Sequence, residues 1–130
     1  MVKFRRRTTA ALLSLLVALA MTFAVAPSAY AVSGTISGTV ECVYANNTVN
    51  GIHVDVATGT DGFASWTSTG PSSASFTYNL SQNTSSYFIN VGCGGSPSSW
   101  GATFRSPTLT GKSYNLYCVT TGGQKVCATG

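Results

Sequence analysis

Charge is scarce in this 130-residue sequence: 8% of its residues are Asp, Glu, Lys or Arg, three of them acidic, and there is one histidine. Four of the seven basic residues, Lys3, Arg5, Arg6 and Arg7, stand in the first seven positions. Beyond residue 31, Arg105, Lys112 and Lys125 balance Glu41, Asp55 and Asp61, so the formal charge of +4 belongs to the N-terminal segment and the remainder is neutral. A neutral chain offers no electrostatic footprint to phosphate backbones or anionic lipid, which excludes nucleic acid as a partner. The same shortage weighs against acid chemistry. A glycosidase of the two-carboxylate type needs two acids across one cleft, and of the three acids Asp61 reads as part of the turn Gly59-Thr60-Asp61-Gly62. His53 and Asp55 share one strand face, an imidazole within reach of a carboxylate, but no Gly-x-Ser-x-Gly elbow supplies a nucleophile. Two ligands do not hold a metal, and Gly92-Cys93-Gly94-Gly95 lacks the lysine and helix of a phosphate loop. The expectation is a non-enzymatic protein without cofactor or metal.

Long apolar runs are also missing after residue 31. The one apolar stretch, Ala10 to Val25, follows the basic cluster and precedes Ala26-Pro27-Ser28-Ala29-Tyr30-Ala31, whose small residues at 29 and 31 form the A-x-A pattern of a cleavage site. Residues 1–31 therefore read as a helical signal peptide cut after Ala31, and 32–130 as a single secreted domain with no membrane attachment after cleavage. The stretch is shorter than the ~20 residues needed to span a bilayer. Arg-Arg-Arg-Thr-Thr lacks the apolar residues expected after a twin-arginine pair, so ordinary Sec export is expected.

Helix formers are rare in residues 32–130, where Ser, Thr, Gly and Asn make up more than half of the chain. No window there shows apolar spacing at i, i+3, i+4, i+7, whereas period-two alternation recurs. Ile36, Gly38, Val40, Cys42 and Tyr44 share a face, as do Ile52, Val54 and Val56; Phe76, Tyr78 and Leu80; Tyr87, Ile89, Val91 and Cys93; and Tyr114, Leu116 and Cys118. A short strand from Phe63 to Thr67 and a weak one from Gln124 to Ala128 complete the set. Asn50-Gly51 reads as a tight turn before the second strand, and Ser96 to Ser99 as a loop leading to Trp100. Six or seven strands separated by turn signals predict an all-β fold, a small disulfide-braced β-sandwich, with a barrel as the alternative.

All four cysteines lie in the exported part, where an even count in a small domain predicts two disulfides. Their wide spacing lacks the close pairs of a zinc site. Cys42, Cys93 and Cys118 fall on core-facing positions, while Cys127 lies beyond Gly122-Gly123, which suits a turn. This favours a local Cys118 to Cys127 clasp and an internal Cys42 to Cys93 bridge.

Ile-Ser-Gly-Thr-Val-Glu-Cys at 36–42, Asn-Gly-Ile-His-Val-Asp-Val at 50–56 and Thr-Asp-Gly-Phe-Ala at 60–64 resemble the opening of carboxypeptidase regulatory-like, or transthyretin-like, β-sandwich domains. Ala-Ser-Trp at 64–66 and Val-Gly-Cys-Gly-Gly-Ser-Pro-Ser-Ser-Trp at 91–100 are similar to small exported actinobacterial domains. The resemblance implies a secreted β-sandwich and lends no catalytic residues.

Trp66 and Trp100 are the candidate ligand-binding residues, and each has two readings. As a cap, a tryptophan closes the end of a small core, and this reading carries the greater weight. As a platform, it stacks on a sugar ring amid Asn, Ser, Thr and Gly that hydrogen-bond the sugar hydroxyls. The expected function is a secreted binding or interaction domain, with polysaccharide or cell-wall glycan as the concrete ligand. The alternative is a secreted protein inhibitor or small antimicrobial effector contacting its target through Gly94 to Arg105. The sequence leaves the oligomeric state open.

Overall fold

The computed structural model describes residues 31–43 and 47–130. Residues 1–30, nearly the whole of the expected signal peptide, lie outside the described residues, as does Tyr44. The described chain is all-β. Its strands are β1 (Thr35–Cys42), β2 (Val49–Val56), β3 (Gly62–Phe63), β4 (Ser65–Gly70), β5 (Ser73–Asn79), β6 (Tyr87–Ser96), β7 (Ser99–Arg105), β8 (Ser113–Thr121) and β9 (Gln124–Thr129). They form one sheet in the order β3-β2-β6-β7-β9-β8-β1-β5-β4. The sheet curls until it is nearly closed into a barrel, so its halves pack across a shared core as the sheets of a sandwich do. Alternation places Ile36, Val40, Ile52, Val54, Phe76, Ile89, Val91, Phe104 and Leu116 inside, each no more than 3% exposed.

Nine strands replace the six or seven expected, for two physical reasons. The strand expected from Phe63 to Thr67 is split at Ala64, because the chain changes partner there. Gly62 and Phe63 pair with Val54 and His53 of β2, whereas Ser65 to Gly70 pair with β5. The stretch expected as a loop before Phe104 is β7, paired along β6 from Asn90↔Arg105 to Ser96↔Ser99, with Pro97-Ser98 as a two-residue turn. Asn50-Gly51 is likewise no turn. It lies within β2, where the register against β6 shifts between Val49 and Gly51.

Two disulfides sit at one end of the core. Cys42 is bonded to Cys93 with Cα atoms 5.9 Å apart, and Cys118 to Cys127 with Cα atoms 3.9 Å apart. The first joins β1 to β6, strands in opposite halves of the sheet. The second joins facing residues of β8 and β9, and Cys118 is also the β8 partner of Cys42. By loop-closure entropy, loops of 51 and 9 residues contribute about 4 and about 2.5 kcal/mol. Such bonds fit an oxidising compartment.

Candidate functional site

The site begins with two glycines. Gly51 of β2 and Gly92 of β6 face each other in the register, and the Trp100 indole lies over both. A Cβ on Gly51 would stand 2.3 Å from Trp100 Cζ2, and one on Gly92 would stand 2.1 Å from Cδ2. Any side chain at either position would lift the ring, so the glycines supply a flat bed of backbone. Gly94 and Gly95 bring the ring there. Both have φ of +72°, a conformation costly for other residues, and Gly95 pairs with Trp100 across the β6–β7 hairpin.

Around this bed the partner change at Ala64 leaves a gap in the curled sheet. There Trp66, Trp100, Phe63, Pro97, Asn50 and the backbone of Gly51 line a crevice of about 300 Å³. Phe63 is 72% exposed. Its ring meets Trp100 edge to face at 6.2 Å and 87°, and His53 at 4.8 Å and 78°. The aromatic walls therefore form a corner rather than a plane. Trp66 packs half-buried against the core, where Trp100 does not join it. Trp66 thus combines the expected cap with a place in the crevice wall, and Trp100 belongs to the wall alone.

The crevice has polar handles and no charge. Asn50 Nδ2 donates to the Gly94 carbonyl at 2.8 Å and to Thr48 Oγ1 at 3.1 Å, which leaves its Oδ1 as an acceptor. Neither indole N–H has a hydrogen-bond partner among the described residues. The residues lining the crevice thus carry two unpartnered donors, one unpartnered acceptor and three aromatic rings.

Beside the crevice lies a cluster of charged side chains. His53 Nδ1 is 2.9 Å from Asp55 Oδ1, and Asp55 Oδ2 accepts from Asn90 Nδ2 at 3.0 Å and Arg105 Nη1 at 3.3 Å. The Arg105 guanidinium lies 4.1 Å above the Phe88 ring centroid. This network braces His53 against Phe63. Among the described residues no hydroxyl is hydrogen-bonded to His53, and no three His, Cys, Asp or Glu side chains gather to hold a metal.

The structure thus brings together both tryptophans singled out in the sequence, which are 34 positions apart, and adds Phe63, Asn50 and Pro97. The sequence carries a signal for Phe63. It has the opposite parity to Trp66 in an expected strand, so one of the two has to face outward. Asn50 and Pro97 carry none, because both read as turn residues. Comparison with known protein families, with curated proteins and with solved structures finds no match to this chain.

Proposed function

We propose that this is a secreted, non-enzymatic binding protein that holds a neutral sugar ring of a polysaccharide or cell-wall glycan in the Trp66–Trp100 crevice. The observation that carries the reading is the convergence of two tryptophans and Phe63 on an uncharged crevice with free indole donors and a free Asn50 acceptor. An aromatic face carries negative charge density that attracts the C–H face of a sugar ring, and a few placed polar groups then fix its orientation. The perpendicular rings suit a single ring or chain end and not a flat crystalline surface, which needs coplanar aromatics. The signal peptide, cleavage after Ala31 and the likeness to transthyretin-like and small actinobacterial exported domains belong to the same proposal.

Retention on insoluble, non-crystalline polysaccharides, whose single chains and chain ends are accessible, tests it. The wild type is expected to be retained, and Trp100→Ala and Trp66→Ala to be released. Equal retention of both variants would sink the stacking mechanism. The inhibitor or effector reading rests on the β6–β7 hairpin, whose exposed tip is braced by the Cys42–Cys93 bridge. It predicts inhibition of a secreted hydrolase with no retention on any glycan.

A further inference from the structure

A second concavity, a trough of about 480 Å³, lies on the outer face of β4, β5, β1 and β8. The main chain at Trp66, whose indole turns inward toward the core and the crevice, forms part of its floor. Register fixes its lining. Ser65, Thr77, Ser37 and Ser113 stand side by side across the four strands, and Thr67, Ser75, Thr39 and Asn115 form the next row. At ~4.8 Å between strands, each row spans roughly 14 Å. Thr39 Oγ1 donates to Asn115 Oδ1 at 2.8 Å, which leaves the Asn115 amide nitrogen as a donor. The other six hydroxyls have no hydrogen-bond partner among the described residues. No charged side chain lines the trough, whereas the outer face of β2, β6 and β7 carries Asp55, His53 and Arg105. Its uncharged character is therefore a local property and not simply that of the whole surface.

We propose that the trough continues the crevice as one binding site, so that the ligand is an extended neutral polysaccharide chain. This rests on the sugar-binding reading above. One ring sits against Trp100, Phe63 and the exposed edge of Trp66, the chain passes over the β4 main chain, and the following residues lie across the strands on the two hydroxyl rows. Each hydroxyl both donates and accepts, which matches a chain whose own hydroxyls do the same and gives no advantage to a charged polymer. Stacking supplies the anchor and the trough supplies dependence on chain length.

The test is calorimetric titration of the full secreted chain with β-1,4-linked glucose and N-acetylglucosamine oligomers of two to six residues. Affinity for the recognised series is expected to rise at least tenfold from the shortest to the longest oligomer. Thr67→Val with Thr77→Val keeps the β-branched shape and removes two hydroxyls, and this pair is expected to lose about tenfold for the longest oligomer and nothing for the shortest. Ser37→Ala in the same row is expected to act in the same direction. Trp100→Ala is expected to abolish binding at every length. Affinity that does not depend on length, or a length gain that survives the hydroxyl variants, would overturn the trough and leave the crevice standing. Failure of both series to bind at all lengths would overturn the crevice reading and this proposal with it. Unchanged thermal unfolding of the hydroxyl variants separates lost contacts from lost structure.

Discussion

At Trp100 the packing surface is main chain, because Gly51 and Gly92 present no side chain where the indole lies. Gly92→Ala puts a methyl group into space the ring occupies and lifts the indole off its bed. It is expected to cost about 1–3 kcal/mol in a urea titration and to release the protein from polysaccharide. Trp100→Ala is expected to release it with a smaller stability loss than Trp66→Ala, which opens the edge of the core and costs about 2 kcal/mol. Tyr87 provides a residue-scale test of packing. It is 1% exposed and its hydroxyl donates to the Gly111 carbonyl at 2.5 Å. Burial, reinforced by neighbouring Tyr114, raises its pKa well above the ordinary tyrosine value. A group whose pKa is raised on folding contributes stability in full below its unfolded pKa, near 10, and loses it as pH climbs beyond. The urea midpoint is expected to fall from pH 9.5 upward, measured at about half-unit steps, and Tyr87→Phe is expected to flatten that fall. At this scale the sequence placed His53 and Asp55 on one face through simple alternation. It did not bring Trp66 to Trp100, since their meeting depends on the curl of a sheet and not on local spacing.

At the scale of elements, most strands follow from period two, and the exceptions have identifiable causes. In β7, Trp100, Ala102 and Phe104 do alternate, but Gly101 and the preceding Ser96-Pro97-Ser98-Ser99 carry the signals of a loop. Asn50-Gly51 has turn chemistry, yet its glycine serves the close approach of Trp100 within β2. The break at Ala64 carries no local signal, because exchanging β2 for β5 as partner is settled by tertiary pairing. That exchange opens the crevice, so the feature hardest to read in the sequence is the one that makes the site. The cysteines were legible through their facing and through Gly122-Gly123, whose φ values of +57° and +77° form the turn between β8 and β9. Cys42→Ser with Cys93→Ser removes a bridge between opposite halves of the sheet. It is expected to cost about 4 kcal/mol in guanidinium unfolding, against about 2.5 kcal/mol for Cys118→Ser with Cys127→Ser, which removes a clasp between neighbouring strands.

At the scale of the molecule, neutrality has consequences for binding. Residues 32–130 carry three positive and three negative side chains, and none lines the crevice or the trough. Retention on polysaccharide is therefore expected to be unchanged between low salt and about 1 M sodium chloride, where the Debye length has shrunk to ~3 Å. A steep decline would point to a charged ligand instead. The curled sheet places the aromatic corner at its seam and the hydroxyl rows on the outer face beyond β4, and the central claim is that these surfaces meet one neutral chain. The most direct measurement follows the two indole N–H resonances in a ¹⁵N-correlated NMR spectrum during titration with the hexamer that the calorimetry selects. Both are predicted to shift together and saturate at one ligand concentration, and Trp100→Ala is predicted to remove one signal and hold the other still. Resonances that stay in place, or that move at unrelated concentrations, would contradict the account.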